Sequence, residues 1–156
     1  MSAGVAVVTG GSRGIGASIA RRLAKDGFHV VVNYASNEAK AREVQTAIQA
    51  EGGQADLCAF DVAAPDQVNE KFEWIAKTHG PVAVLVNNAG IVIDGLLIRM
   101  KDEDLDRTLD VDLKGAIYCT RAAGRQMMRE RKGSIICISS VIGEMGNAGQ
   151  IGRAHV

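Results

Sequence analysis

The run "VAVVT", Val5 to Thr9, is apolar at four successive positions, and a glycine-rich turn follows it directly, "TGGSRGIG" from Thr9 to Gly16. A strand with no polar face is buried on both sides, the condition of a parallel sheet covered by helices. After the turn comes "GIGASIARRLAKDG", with Ile15, Ile19, Leu23 and Ala24 on one helical stripe and Gly27 placed as a stop. Strand, glycine turn and amphipathic helix in this order permit few folds. A tight turn needs glycine, and a phosphate reaches the backbone closely only where no Cβ intervenes. The amides and dipole of the helix N-terminus then favour an anion. The segment therefore reads as a pyrophosphate cradle made of Gly10, Ser12, Arg13, Gly14, Ile15 and Gly16. No Lys-Ser/Thr pair follows the glycines, which excludes a P-loop.

The same alternation continues. "HVVVN" (His29 to Asn33) predicts a second strand, and Ser36 can cap a helix running through Val44 and Ile48 to "EGG". "QADLCAFDV" predicts a third strand, and Pro65 suits the first turn of a helix ending near Thr78. "VAVLVNN" (Val82 to Asn88) is the fourth strand. A long helix is expected from Asp102 to Arg131, with Leu105, Leu109, Leu113 and Ile117 recurring every four residues, before a fifth strand, "SIICISS" from Ser134 to Ser140. Parallel strands need right-handed crossovers. The expectation is an α/β, Rossmann-like, doubly wound parallel sheet with its first five strands in the order 3-2-1-4-5 and later strands missing.

A chain of 156 residues suits one domain, and its 18 basic and 18 acidic residues balance. That balance gives no general attraction to nucleic acid or to a membrane surface. Without a basic leader or a membrane-length apolar run, the sequence reads as soluble and cytoplasmic. Cys58, Cys119 and Cys137 lie far apart and are expected as buried free thiols. His29, His79 and His155 have no second ligand at helical spacing, so no metal site is expected.

"TGGSRGIG", "FDV" at Phe60 to Val62 and "NNAG" at Asn87 to Gly90 together resemble the short-chain dehydrogenase/reductase family over residues 3 to 150. Within it, "NNAGIVIDGLLIRMKDEDLDRTLDVDLKGAIYCTR" and "ISSVIGEMGNAGQ" are most similar to the reductases of 3-oxoacyl thioesters on acyl carrier protein, with acetoacetyl-coenzyme A reductases close behind. The resemblance implies that Asp61 accepts from the adenine amino group beside the backbone of Val62, and that Asn88, Ala89 and Gly90 line the cofactor ribose. A turn or helix-capping role for Asp61, and a strand-end turn at Asn88 to Gly90, remain open. Ser140 matches the family serine that hydrogen-bonds the substrate carbonyl; Ser139 beside it points to the other face if the strand is regular. Asp112 stands where the family usually has an asparagine that orders a water in a proton relay. The alternative for it is a solvated helix charge.

The family's proton donor is a tyrosine with a lysine four residues later. The position matching the tyrosine is Arg153, which cannot act as an acid, and the matching lysine would be residue 157. Tyr34 and Tyr118 are followed four residues later by Glu38 and Ala122 and cannot substitute. The expectation is an incomplete dinucleotide-binding domain, residues 1–150, followed by an unrelated tail, 151–156, inactive by itself.

The second strand ends at Asn33, and nothing anionic follows through Ser36 and Asn37, so the resemblance implies NADP(H), with Arg13 pairing with the 2′-phosphate. For Arg13 the alternative is an exposed loop cation. Arg129, Arg131 and Lys132 are expected to help dock an acyl carrier protein, although cations at a helix end also complement its dipole. The implied activity is NADPH-dependent reduction of a 3-oxoacyl thioester by a homo-oligomeric, commonly tetrameric, enzyme. A non-catalytic NADP-binding fragment, another carbonyl or alcohol substrate, and a remnant that does not fold alone are the other readings.

Overall fold

The computed structural model describes residues 3–150. Its order is β1 (Val5–Val8), α1 (Gly14–Lys25), β2 (His29–Tyr34), α2 (Glu38–Ala50), β3 (Gln54–Ala59), α3 (Pro65–His79) and β4 (Val82–Asn87). A 3₁₀ turn (Leu97–Arg99) leads to α4 (Asp102–Thr108), a π turn (Leu109–Lys114), α5 (Gly115–Glu130), β5 (Ser134–Cys137) and α6 (Ile142–Met145). All strand pairs are parallel and the sheet order is β3-β2-β1-β4-β5, as the alternation of segments predicts. In the middle of the sheet Val7 pairs with Val31 on one side and Leu85 on the other.

Every residue of β1 is buried, so apolar side chains are needed on both faces. One face packs under α3 and α5 through Val7, Val31, Cys58, Phe60, Phe72, Ile75 and Cys119. Phe60 and Phe72 meet edge to face with centroids 6.1 Å apart. The other face packs under α1 and α2 through Val8, Val30, Val32, Ala20, Ala24 and Ile48.

Several local expectations are corrected. Asn37, not Ser36, caps α2, its side chain accepting from the Lys40 amide at 3.0 Å. On α1, Ile19, Leu23 and Ala24 of the predicted stripe do pack on the core, joined by the buried Gly16 and Ala20, while Ile15 is 64% exposed. The long helical run is continuous from Asp102 to Glu130 with a π turn inside it, and its buried line is Val111, Gly115, Cys119, Ala122, Ala123 and Met127. Leu113 and Ile117 of the predicted stripe face outward. Both helices come close to their neighbours at a glycine, Gly16 on α1 and Gly115 on α5, where no side chain fits. A Cβ on Gly115 would stand 2.7 Å from Val62 Cγ2.

The fifth strand ends at Cys137, and its residues are exposed at the sheet edge, so Cys137 is exposed rather than buried. Cys58 and Cys119 are buried free thiols as expected. Among the described residues no helix is long and apolar enough to cross a membrane. Arg153, His155 and the rest of 151–156 lie outside the described residues.

Candidate functional site at the β1–β4 switch point

The sheet order reverses between β1 and β4, and ligands of open α/β sheets bind in the crevice beyond the carboxyl ends of such strands. The glycine loop leaves β1 at this point. Gly10 (φ +61°) and Gly14 (φ +55°) occupy the left-handed region, which favours glycine. A Cβ on Gly14 would meet nothing within 4 Å, so this edge of the loop is open to an incoming group. Gly16 serves packing instead. A Cβ there would stand 2.4 Å from Asn88 Nδ2 and 2.5 Å from the Gly10 carbonyl oxygen.

The loop is braced from three strands. The Thr9 hydroxyl donates to the Val86 carbonyl and accepts from the amides of Asn88 and Ala89, both at 3.0 Å. Asn88 Nδ2 donates back to the carbonyls of Thr9 (2.9 Å) and Gly10 (3.1 Å). Asn33 Oδ1 accepts from the Gly10 amide at 3.1 Å, while its Nδ2 donates to the carbonyls of Phe60 (3.0 Å) and Cys58 (3.3 Å). Asn33 is buried. Its side chain therefore ties the loop to β2 and to the end of β3 and does not project toward a ligand. Asn88 likewise spends its amide on the loop. These positioning roles, with Thr9 as the hub, are not visible in a motif.

The N-terminus of α1 carries no side-chain cap and no acidic residue in its first turn. Its first-turn amides thus face the crevice without a competing protein anion. Arg13, at the N-cap, is exposed and makes no ion pair among the described residues. Ser12 is half-buried beside it, and Ser36 is exposed. Glu38, one residue past the window that suggests a phosphate site, pairs with Arg42. The Tyr34 hydroxyl is pushed above its usual range, first by burial and then by Glu38.

Asp61 takes the turn role. Its Oδ1 accepts from the Ala63 amide at 2.9 Å and its Oδ2 from Arg107 Nη2 at 3.1 Å. Carboxylate oxygens have further lone pairs, so an adenine contact is not blocked. Val62 is buried, with its side chain in the core. Asp112 is no solvated charge: it is 4% exposed, inside the π turn, and Oδ1 accepts from the Ile91 amide at 2.8 Å. Single π turns of this kind frequently mark functional sites. Gly90 lies against it, its would-be Cβ 3.4 Å from Asp112 Oδ1. Ser140, half-buried between β5 and α6, accepts from the Ile142 amide at 3.3 Å through Oγ. Its hydroxyl hydrogen stays available to donate. Arg129, Arg131 and Lys132 are exposed at the far end of α5, where Arg131 adopts the left-handed conformation (φ 51°) that ends the helix.

Fold and crevice together define a doubly wound α/β unit with the loop architecture of dinucleotide-binding folds. A family model described as short chain dehydrogenase matches residues 4–152, and the chain belongs to that family. The 3-oxoacyl-acyl-carrier-protein reductase FabG of Staphylococcus epidermidis is 46% identical over 145 residues, 93% of this chain and 59% of that protein. The 3-oxoacyl-acyl-carrier-protein reductase of Synechocystis is 45% identical over 150 residues, 96% of this chain and 61% of that one. The chain thus spans about three fifths of the length of these relatives. A crystal structure of a metagenomic short-chain oxidoreductase in complex with NADP superposes with a TM-score of 0.92 at 39% identity, over 97% of this chain and 68% of the other.

Proposed function

We propose that the chain holds NADP(H) at the β1–β4 crevice and supplies the cofactor half of a cytoplasmic reductase of 3-oxoacyl thioesters. The observation that carries this reading is the uncapped, acid-free N-terminus of α1 beside a glycine loop open at Gly14. The likeness to two 3-oxoacyl-acyl-carrier-protein reductases supports the substrate class, and the NADP complex of the solved relative supports the cofactor. The cofactor would supply hydride. The α1 amides and Arg13 would hold its phosphates, Asp61 and the Val62 backbone its adenine, and Asn88 to Gly90 its ribose. Ser140 Oγ would donate a hydrogen bond to the substrate carbonyl, and the buried Asp112 would fix a water near Gly90.

The 156 residues by themselves contain no tyrosine followed four positions later by lysine. A positioned acid is worth about 10²–10⁴-fold, so we expect residual turnover at best. Arg129, Arg131 and Lys132 would meet an acidic carrier protein, and the outward Leu113 (40% exposed) and Ile117 (51%) would support self-association. The test is NADPH consumption with acetoacetyl-coenzyme A. This chain should fall about a hundredfold or more below one that continues into a tyrosine–lysine segment. Equal rates would refute the assignment of the acid. In the longer enzyme, Arg131→Glu should raise KM for carrier-linked substrate alone, and an equal rise for coenzyme A substrate would refute the docking role.

A further inference from the structure

At the rim of the sheet opposite the glycine loop, the fold gathers three donors that lie far apart in sequence. His29 opens β2, Asp56 lies in β3, and His79 ends α3. His29 Nε2 is 2.8 Å from Asp56 Oδ2, and His79 Nε2 is 3.7 Å from the same oxygen. One donor atom from each residue lies within 4.8 Å of the others. The two imidazole rings are 4.4 Å apart.

We propose that His29, Asp56 and His79 form a binding site for a divalent transition-metal ion of the zinc type. Two imidazoles and one carboxylate are a donor set that suits zinc, copper and nickel. At ligand bonds of about 2.0–2.2 Å, tetrahedral coordination places donors roughly 3.3 Å apart, so shifts of about 1 Å convert the observed trio into a ligand set. His79 Nε2 is buried and has no hydrogen-bond partner, an uncommon state for a buried ring nitrogen. The end of α3 also presents the negative pole of its dipole to a cation.

A cleft of about 350 Å³ lined by His29, His79, Gly80, Glu130 and Lys132 opens beside the two histidines. Three protein ligands leave a fourth position for water. Bound metal would pin β2, β3 and the end of α3 together.

Trp74 is the one tryptophan in the chain, and its ring centroid lies 5.4 Å from that of His79. The experiment is titration of the full chain with Co²⁺, read by Trp74 fluorescence, then competition with Zn²⁺. We expect saturable quenching at one equivalent per chain, reversal by Zn²⁺, and a thermal midpoint that rises with Zn²⁺ concentration. His29→Asn and Asp56→Asn do not touch Trp74, and the second keeps the shape of the carboxylate. Each should weaken Co²⁺ at least tenfold, since even outer-shell partners weigh about 10–100-fold. His155→Gln should change nothing. Unsaturable quenching, affinity unchanged in the two site variants, or dependence on His155 would each overturn the proposal.

Discussion

Asn33→Ala separates two roles that one residue could play in cofactor binding. If the side chain touched the 2′-phosphate, its loss would weaken NADPH and spare NADH. The structure assigns it another task, since it is 2% exposed and bonded to the Gly10 amide and to the carbonyls of Phe60 and Cys58. Alanine removes the side-chain partner of three backbone groups at once. A lost hydrogen bond costs about 1 kcal/mol net, and a buried group left unsatisfied about 1–3 kcal/mol. Some of these groups will recruit water, so we expect a loss of about 2–4 kcal/mol. For a chain of this size that lowers Tm by roughly 5–15 °C. The loop also loses its brace to β2, so NADPH and NADH should weaken by the same factor. Asn33→Asp should do no better, because a carboxylate oxygen would then face the Phe60 carbonyl. Thermal unfolding by circular dichroism and fluorescence titration of both cofactors read this out. A Tm within 1 °C or so of the parent, with loss confined to NADPH, would refute the positioning role.

Thiol labelling should report one fast cysteine in the native chain, Cys137, and three after denaturation. Burial pushes the Cys58 thiol up to about 11 and that of Cys119 to about 12, so both stay protonated near pH 8. These raised values contribute stability that is present below about pH 9, the ordinary thiol value, and lost as pH rises through 11 and 12. Urea midpoints between pH 8 and 10.5 should therefore fall, and fall less in Cys119→Ala relative to its own pH 8 value; identical slopes would contradict the burial. The apolar edge strand β5, with Ile135 39% and Ile136 45% exposed, should drive self-association. Ile136→Lys should shift the chain toward monomer in analytical ultracentrifugation, and an unchanged distribution would place the contact elsewhere.

The sheet order and the glycine loop were legible because strand burial and turn chemistry are local properties. "VAVVT" before "TGGSRGIG" states its environment in consecutive residues. The α1 stripe was right at Ile19, Leu23 and Ala24 and wrong at Ile15, and the long-helix stripe was wrong at Leu113 and Ile117, because hydrophobic periodicity gives large residues the most weight whereas these helices also bury Gly16 and Ala20, or Gly115, Cys119 and Ala123. The role of Asn33 depends on which way a strand-end side chain turns, and that is settled by the loop arriving from β1. Asp112 was uncertain for a like reason: only the approach of Ile91 from the β4 loop shows that it is buried and bonded. His29, Asp56 and His79 belong to three elements, so no local spacing could join them.

The central claim is that the crevice at the glycine loop selects the phosphorylated nicotinamide cofactor through Arg13. Isothermal titration of NADPH and NADH into this chain and into Arg13→Ala tests it directly. A hydrogen bond to a charged group is worth about 1.5–3 kcal/mol and less where it is exposed, so a preference of about tenfold is expected. We predict one site per chain, NADPH tighter than NADH by about tenfold, and a preference abolished by Arg13→Ala while NADH affinity stays put. No binding, equal affinity for the two cofactors, or an Arg13→Ala change that weakens both alike would contradict the account.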